Sequence, residues 1–359
     1  MATRRLFTVL PALLALLGAA TACTTAPAAS GVPATTTERA HQQVSLSPLQ
    51  GGAAAGSVTL AFAGDVHFTG RTAGLLSDPA TAFGPIATVL KSADFTAVNL
   101  ETSVTSRGTP QPKTYHFRTV PAAFTALRDA GVDLVTMANN HVLDYGTAGL
   151  TDTLTAARAA RFPYVGIGKD AAAAWAPFVT TVKGWKIAVV GVSQVADLAS
   201  SWVATASRPG EANAIDLGRT LAAVRAARRL APTVIVFMHW GTEGVACPNA
   251  DQLSLARQLS AAGASIIIGA HAHVLQGSGW LGHTFVAYGM GNFLWYVGSR
   301  ATGVLELTLH PHAPLTARFI PAVVSGTGQP VVDHGVTARS AIAHYDSLRA
   351  CAELARQPS

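Results

Sequence analysis

Charge is scarce in this chain. Only 12% of its 359 residues are Asp, Glu, Lys or Arg, against 49% hydrophobic ones, a balance that excludes disorder of the whole chain and argues for a large buried core. There is no Lys/Arg-rich block and no interleaving of basic with aromatic residues, so the sequence carries no nucleic-acid footprint. The three cysteines lack the close Cys/His spacing of a zinc site. Gly289-Met290-Gly291 is not a dinucleotide signature, because no helix follows it at the required distance; it reads as a turn allowing close backbone approach. No internal repeat is present. The formal net charge of +6, or +4 without Arg4 and Arg5, is a mild bias compatible with an anionic partner.

The N-terminus has the layout of a secretory signal over residues 1–22: Arg4-Arg5, an apolar run from Leu6 to Ala20, then small residues before Cys23. The apolar run is too short for a comfortable membrane span. Ala20-Thr21-Ala22-Cys23 also resembles a bacterial lipobox, with alanine in place of the usual leucine, in which Cys23 is lipidated and becomes the first mature residue. Simple cleavage after Ala-x-Ala is the alternative. Residues 23–56, rich in Thr, Ala and Pro, read as a flexible tether. Cys247 and Cys351 then remain as a pair, either two free thiols or, in an oxidising compartment, a disulfide tying the C-terminal helix to the loop after Glu243.

From Ser57 onward, short apolar runs alternate with helical periodicity. Val58–Ala63, Phe95–Leu100, Val132–Met137, Ile187–Val192, Val234–Met238 and Ser265–Gly269 read as strands. Ala82–Ser92, Ala122–Ala130, Leu150–Arg161, Leu217–Leu230 and Asp251–Ala262 read as helices. The alternation implies a largely parallel, helix-covered sheet. After Gly282 come strands without helices, Thr284–Tyr288, Val304–Leu309 and Ala317–Val324, expected as antiparallel additions or a second sheet. One domain over 57–325, with residues 326–359 as a helical tail packed on it, suits the spread of candidate ligands.

Those candidates sit where the strands end. Asp65 and His67, two residues apart, share a strand face and just past its end can converge on one ion; a carboxylate with an imidazole suits Zn, Mn or Fe. A surface Asp and a half-buried His in a turn is the plain alternative. Glu101 could bridge two cations with Asn99 orienting it, or could serve as an ordinary cap or ion-pair partner. Asn140 could offer its amide oxygen to a metal, His141 could protonate a leaving group, and Asp144 is placed to orient His141; Asn139 competes as an Asx-type turn residue. His239, His271 and His273 each follow an apolar run. A lone His after a strand is usually structural, but four with Asp, Asn and Glu at successive strand ends point to metal, because open α/β sheets place ligands at the carboxyl ends of their strands. Within Lys113-Thr114-Tyr115-His116-Phe117-Arg118, His116, with Lys113 and Arg118, either lines a pocket for an anionic substrate or belongs to a solvated loop.

Together these motifs resemble the calcineurin-like metallophosphoesterase superfamily and, more closely, the CapA family of bacterial capsule-synthesis proteins, over about residues 57–325. The carriers are Gly64-Asp65-Val66-His67, Asn99-Leu100-Glu101, Ala138-Asn139-Asn140-His141 with Asp144 and Gly146, His239-Trp240-Gly241-Thr242-Glu243, Gly269-Ala270-His271-Ala272-His273 and Gly289-Met290-Gly291-Asn292-Phe293. The resemblance implies an α/β fold, a metallophosphatase-like sandwich of two mixed β-sheets flanked by α-helices, with two divalent metal ions (Mn, Fe or Zn). Asp65, His67 and His273 would hold one ion; Asn140, His239 and His271 the other; Glu101 would bridge and His141 act as general acid. Asn99, Asn139, Glu243 and Asn292, with His116 and Arg118, are the expected pocket. Two departures matter: Asn99-Leu100-Glu101 replaces Gly-Asp-x-x-Asp, and Val142 stands where an acidic residue follows the histidine, so Asp144 would substitute. The function implied is a two-metal hydrolase acting on a phosphoester or polymer amide bond in capsule or poly-γ-glutamate biosynthesis; the alternative is a non-catalytic polymer-binding, export or anchoring subunit retaining the metal site. Its partners would be an anionic extracellular polymer, the membrane through a lipid anchor, and other capsule-synthesis membrane proteins.

Overall fold

Two mixed sheets stack face to face because the long strands are apolar on both faces. In Val58–Val66, Leu60 and Phe62 point into the core between the sheets, while Ala61 and Ala63 join a second core beneath the flanking helices with Phe124 and Leu127. Thr233–Trp240 divides in the same period-two way: Ile235 and Phe237 face the inter-sheet core, and Val234, Val236 and Met238 pack with Val224 and Leu259 of the helices outside. Phe62 and Phe237 meet edge to face across the sandwich at 6.4 Å.

The structure, a computed structural model, describes residues 56–359. The expected signal segment, Cys23 and the expected tether up to residue 55 lie outside the described residues. The first sheet has eight strands, ordered Pro330–Val332, Ala313–Val324, Ala301–His310, Val58–Val66, Phe95–Leu100, Leu134–Thr136 and Tyr164–Val165, with Asn292–Leu294 added beside the end of Val58–Val66. Val58–Val66, Phe95–Leu100, Leu134–Thr136 and Tyr164–Val165 run parallel; Ala301–His310 pairs antiparallel on the other side. The second sheet has six strands: Ser278–Leu281, Thr284–Ala287, Ile266–His271, Thr233–Trp240, Trp185–Ser193 and Phe178–Val182, parallel at its centre and antiparallel at both edges. Among the described residues no helix is long and apolar enough to cross a membrane.

Several boundaries differ from the sequence reading. Ala82–Ser92 is not one helix: Gly84 takes φ +62 and a 3-10 turn Gly84–Ile86 precedes the α-helix Ala87–Ser92. The helix expected from Leu150 begins at Gly146. Phe178–Val182, which the sequence reading leaves unassigned, is an edge strand that buries no residue fully and so carries no apolar run. Residues 326–359 are not simply a helical tail, since Pro330–Val332 extends the first sheet before the helix Gly335–Ser347 and a 3-10 turn Leu348–Cys351. The helix Ala250–Ala262 matches its expected place; a capping box between Asn249 and Gln252 starts it, and Gly263 at φ +108 ends it.

Cys247, in the loop beyond Thr233–Trp240, is bonded to Cys351, with Cα atoms 5.6 Å apart and a sequence separation of 104. Cross-linking so distant a pair restricts the unfolded chain. Replacing both cysteines by serine is expected to lower the unfolding free energy by about 2–4 kcal/mol, read as an earlier urea midpoint; an unchanged midpoint would contradict this.

Candidate metal centre

Strands from both sheets deliver polar side chains to one buried spot. The register slips at Asp65/Val66 where Val58–Val66 meets Asn292–Leu294, and the approach there is so close that a Cβ on Gly64 would stand 1.8 Å from the Gly291 carbonyl oxygen. Asp65 is fully buried at this irregular strand end. Its carboxylate accepts from Asn99 Nδ2 at 2.8 Å and lies 3.3 Å from the backbone N–H of His271, at the end of a second-sheet strand. Gly269 is equally confined, since a Cβ there would lie 1.8 Å from the Tyr288 carbonyl oxygen. The chain then turns through His271 at φ +87 and His273 at φ +56, left-handed conformations that cost non-glycine residues energy and concentrate at functional sites.

Two groups of ligating atoms result: Asp65, Glu101 and His273, and Glu101, His239 and His271, each with its atoms within 4.8 Å of one another. Glu101 belongs to both. Its Oε2 accepts from Asn99 at 3.2 Å, whereas Oε1, wholly buried, has no hydrogen-bond partner. Around that oxygen stand Nε2 of His239 at 3.7 Å and Nε2 of His141 and His273, each at 3.9 Å. His271 Nδ1 is likewise buried without a partner. An unpartnered buried carboxylate oxygen costs energy, and a ring of imidazoles too far away to bond it leaves room that a cation would fill. The donor set of carboxylate and imidazole fits Zn, Mn or Fe.

Protonation favours the same chemistry. Burial pulls His67 and His271 down to about 3, and pulls His239 well below its ordinary value, so all three imidazoles are neutral and able to ligate near pH 7. Burial and the like charge of Asp65 raise Glu101 well above the usual carboxylate range. For His273 burial opposes charging, but the hydrogen bond and charge of Asp65 outweigh it and the net shift is upward.

The remaining sequence candidates divide between this cluster and its surroundings. Asn140 Oδ1 lies 2.9 Å from His239 Nε2. Asn139 supports Asn99 Oδ1 at 3.1 Å and accepts from the His141 N–H at 3.1 Å, which makes it a positioning residue within the loop. Asn292 holds His273 Nδ1 at 2.9 Å. His67 is in neither three-residue group; its Nδ1 is 3.1 Å from Thr72 Oγ1, and its ring stacks on Trp295 at 3.7 Å. Trp295 also lies 4.7 Å from the ring of His273. Glu243 is exposed.

His141 and Asp144 form a tight pair, Nδ1 to Oδ2 at 2.7 Å, and Asp144 also accepts from the Phe117 N–H at 2.6 Å while Phe117 stacks on the imidazole at 3.9 Å. Burial lowers His141 to about 4, against the hydrogen bond and charge of Asp144. The run from Lys113 to Arg118 does not act as a unit. Lys113 reaches inward, 3.0 Å from Asp144 Oδ1 and bonded to the Asn140 carbonyl. His116 Nε2 instead meets the Gln111 carbonyl at 2.6 Å, and the exposed Arg118 lies over the Tyr145 ring. Phe117, Trp295 and Thr72 escape the sequence reading, which looks for ligands and not for the rings and hydroxyls that hold them.

Fold and site define an α/β sandwich with a buried, metal-fitting centre at its strand ends. The chain belongs to the bacterial capsule synthesis protein PGA_cap family, whose model matches residues 59–296. It is 32% identical over 219 residues to the PGA biosynthesis protein CapA of Bacillus subtilis, covering 60% of this chain and 57% of the relative. Identity is 27% over 260 residues with the capsule biosynthesis protein CapA of Bacillus anthracis, covering 69% and 63%. It is 34% over 193 residues with a probable polyglutamine synthesis accessory protein of Mycobacterium tuberculosis, 50% of each chain. The matched region thus spans 50–63% of the length of these relatives. Similar solved structures include the NAD nucleotidase of Haemophilus influenzae (14% identity, 85% of this chain and 65% of that one, TM-score 0.48). Another is a phosphatase of Mycoplasma pneumoniae (12% identity, 80% and 98%, TM-score 0.48).

Glu101→Gln, which removes the one carboxylate common to both groups, is expected to weaken divalent-metal binding at least tenfold, by roughly the loss of one charged ligand contact, measured by metal titration against a competing chelator. Unchanged affinity would remove Glu101 from the ligand set. On the short strand pair of Gly210–Glu211 with Ile167–Gly168, Glu211 is buried with Oε2 unpartnered, and burial raises it to about 8 despite a hydrogen bond from Asn213. A carboxyl raised in the folded state binds more protons there, so its stabilisation is full below the unfolded value near 4.5 and is lost as pH rises through about 8. Relative to Glu211→Gln, the native chain is therefore expected to lose on the order of 3 kcal/mol between pH 5.5 and 8.5, by urea unfolding at each pH; a constant difference would refute the assignment.

Proposed function

We propose that this chain is an extracytoplasmic, metal-dependent hydrolase of anionic exopolymer biosynthesis, acting on a phosphoester or polymer amide bond. The observation that carries the reading is the unpartnered Glu101 Oε1, shared by two ligand groups beside the His141–Asp144 pair. In this reading Asp65, His67 and His273 would hold one divalent ion and Asn140, His239 and His271 another, with Glu101 available to both. Such cations supply positive charge where the reacting group becomes more anionic. The names of the capsule and polyglutamate relatives support an anionic polymer as the substrate, and the formal charge of +4 that remains without Arg4 and Arg5 suits one.

The chain's own residues do the proton chemistry. Asp144 accepts from Nδ1 of His141, so the neutral ring turns an unprotonated Nε2 toward Glu101, and that nitrogen takes a proton from the attacking water and then passes it to the departing oxygen or nitrogen. Lys113 balances the buried Asp144 carboxylate, and Phe117 fixes the imidazole plane by stacking. A proton donor so held need not reorganise when the bond breaks. The basic and apolar N-terminal segment ending at Cys23 supports export and a lipid anchor, with residues 23–56 spacing the domain from the membrane near other capsule-synthesis membrane proteins.

The test is hydrolysis of aryl phosphoesters and of γ-glutamyl polymer, run beside metal analysis of the same protein. His141→Ala is expected to lower kcat by about 10²–10⁴-fold with metal content unchanged, and Asp65→Asn to lower both. Metal retained and polymer bound, with no turnover on either substrate, would replace the hydrolase with a binding or export subunit.

A further inference from the structure

A cavity of about 470 Å³ opens between the edge strand Ser278–Leu281, the strand Ala313–Val324 and the helix Gly335–Ser347. None of its lining residues belongs to the metal centre. Its volume lies within the range of small-ligand sites, and it combines two chemistries. One is apolar: Trp280, Phe285, Phe319 and Tyr345 line it, with Phe319 and Tyr345 stacked at 4.0 Å. The other is cationic. Of its arginines, Arg318 pairs with Glu306 through Nε at 2.8 Å, and Arg349 donates to the Ser278 carbonyl at 2.8 Å and to Asp346 at 3.2 Å. Arg356 forms no ion pair or side-chain hydrogen bond among the described residues, yet it lines the cavity and is held in place there. Its neighbour Ala355 exchanges backbone hydrogen bonds with Trp280 at 2.8 and 2.9 Å, and Cys351 is tied to Cys247.

A guanidinium without an ion pair among the described residues, on a pinned segment lining the same cavity as aromatic rings, suits a ligand whose carboxylates alternate with methylene groups: the carboxylate takes the fork of the arginine and the methylenes cover the rings. We propose that this cavity is a second binding site, for a γ-glutamyl segment of the polymer, held away from the metal centre while another part of the same chain occupies that centre. The polymer's identity rests on the function proposed above; the site itself rests on the cavity and its arginine. Two sites joined by one flexible ligand raise the effective concentration of polymer at the second. A longer chain is therefore retained better than a short one.

The test is calorimetric titration of the full chain, kept in excess chelator so that the metal centre contributes no cation, with a γ-glutamyl hexamer and with the same hexamer amidated at every free carboxyl. Binding of the acid form alone is expected, weakened at least tenfold by Arg356→Glu and unaltered by Glu101→Gln. Arg356 is exposed, and an unchanged melting temperature of the variant shows that the fold survives. Equal binding of the amidated form, or full affinity in Arg356→Glu, overturns the proposal. If only Glu101→Gln weakens binding, the polymer is bound solely at the metal centre, which sinks the second site and leaves the hydrolase standing. If no hexamer binds, the second site falls, and phosphoester turnover then decides separately whether the hydrolase survives with a different substrate.

Discussion

The Asp65 carboxylate links the two halves of this molecule. It lies at the irregular end of a first-sheet strand, where it faces the backbone N–H of His271 on the second sheet, and Asn99 donates to it from the neighbouring strand. A charged group so deeply buried is tolerable only when its oxygens are bonded on several sides. That requirement brings the ends of the two sheets within reach of each other. Gly64 and Gly269 let the connecting segment 288–291 lie against one strand of each sheet, because a Cβ at either position would stand 1.8 Å from one of its carbonyl oxygens.

Once those strand ends are joined, the rest of the centre follows from packing. Glu101 is drawn into a site with no bond for its second oxygen, and four buried histidines, His67, His141, His239 and His271, are kept neutral chiefly by desolvation. A buried acid and a set of neutral imidazoles make a poor hydrophobic core and a good cation site. The left-handed conformations of His271 and His273 belong to the same arrangement: the strand cannot continue straight and still present both rings to Glu101. Energy stored in that turn is offset by the apolar strands on either side, where Ile266, Ile267 and Ile268 are fully buried.

Much of this was legible in the residues, for identifiable reasons. Strand interiors announce themselves as apolar runs because they are covered on both faces, and ligands announce themselves because polar residues interrupt those runs at their carboxyl ends. Asp65, Glu101, His239, His271 and His273 were readable in this way. Phe178–Val182 was not, because an exposed edge strand has no burial to pattern it. The run Lys113–Arg118 reads either as a pocket wall or as a solvated loop, and in the structure its three cationic or titratable side chains diverge. Lys113 turns in to Asp144, His116 bonds its own loop, and Arg118 lies over Tyr145. Nothing local distinguishes them, since each direction is set by a partner some 5 to 31 residues away.

The sequence by itself determined the α/β alternation, the strand ends at which ligating residues stand, and the family to which the chain belongs, because these depend on local periodicity and on short motifs. Only the tertiary structure decided that Glu101 serves two groups, that Asn99 links Asp65 to Glu101, that Phe117 and Trp295 stack on the histidines, and that Arg356 faces a ring-lined cavity. These contacts join segments that are close only after two sheets have packed. The burial that shifts His67, His271 and Glu101 also exists only in the folded chain, since desolvation is a property of the surroundings and not of the residue.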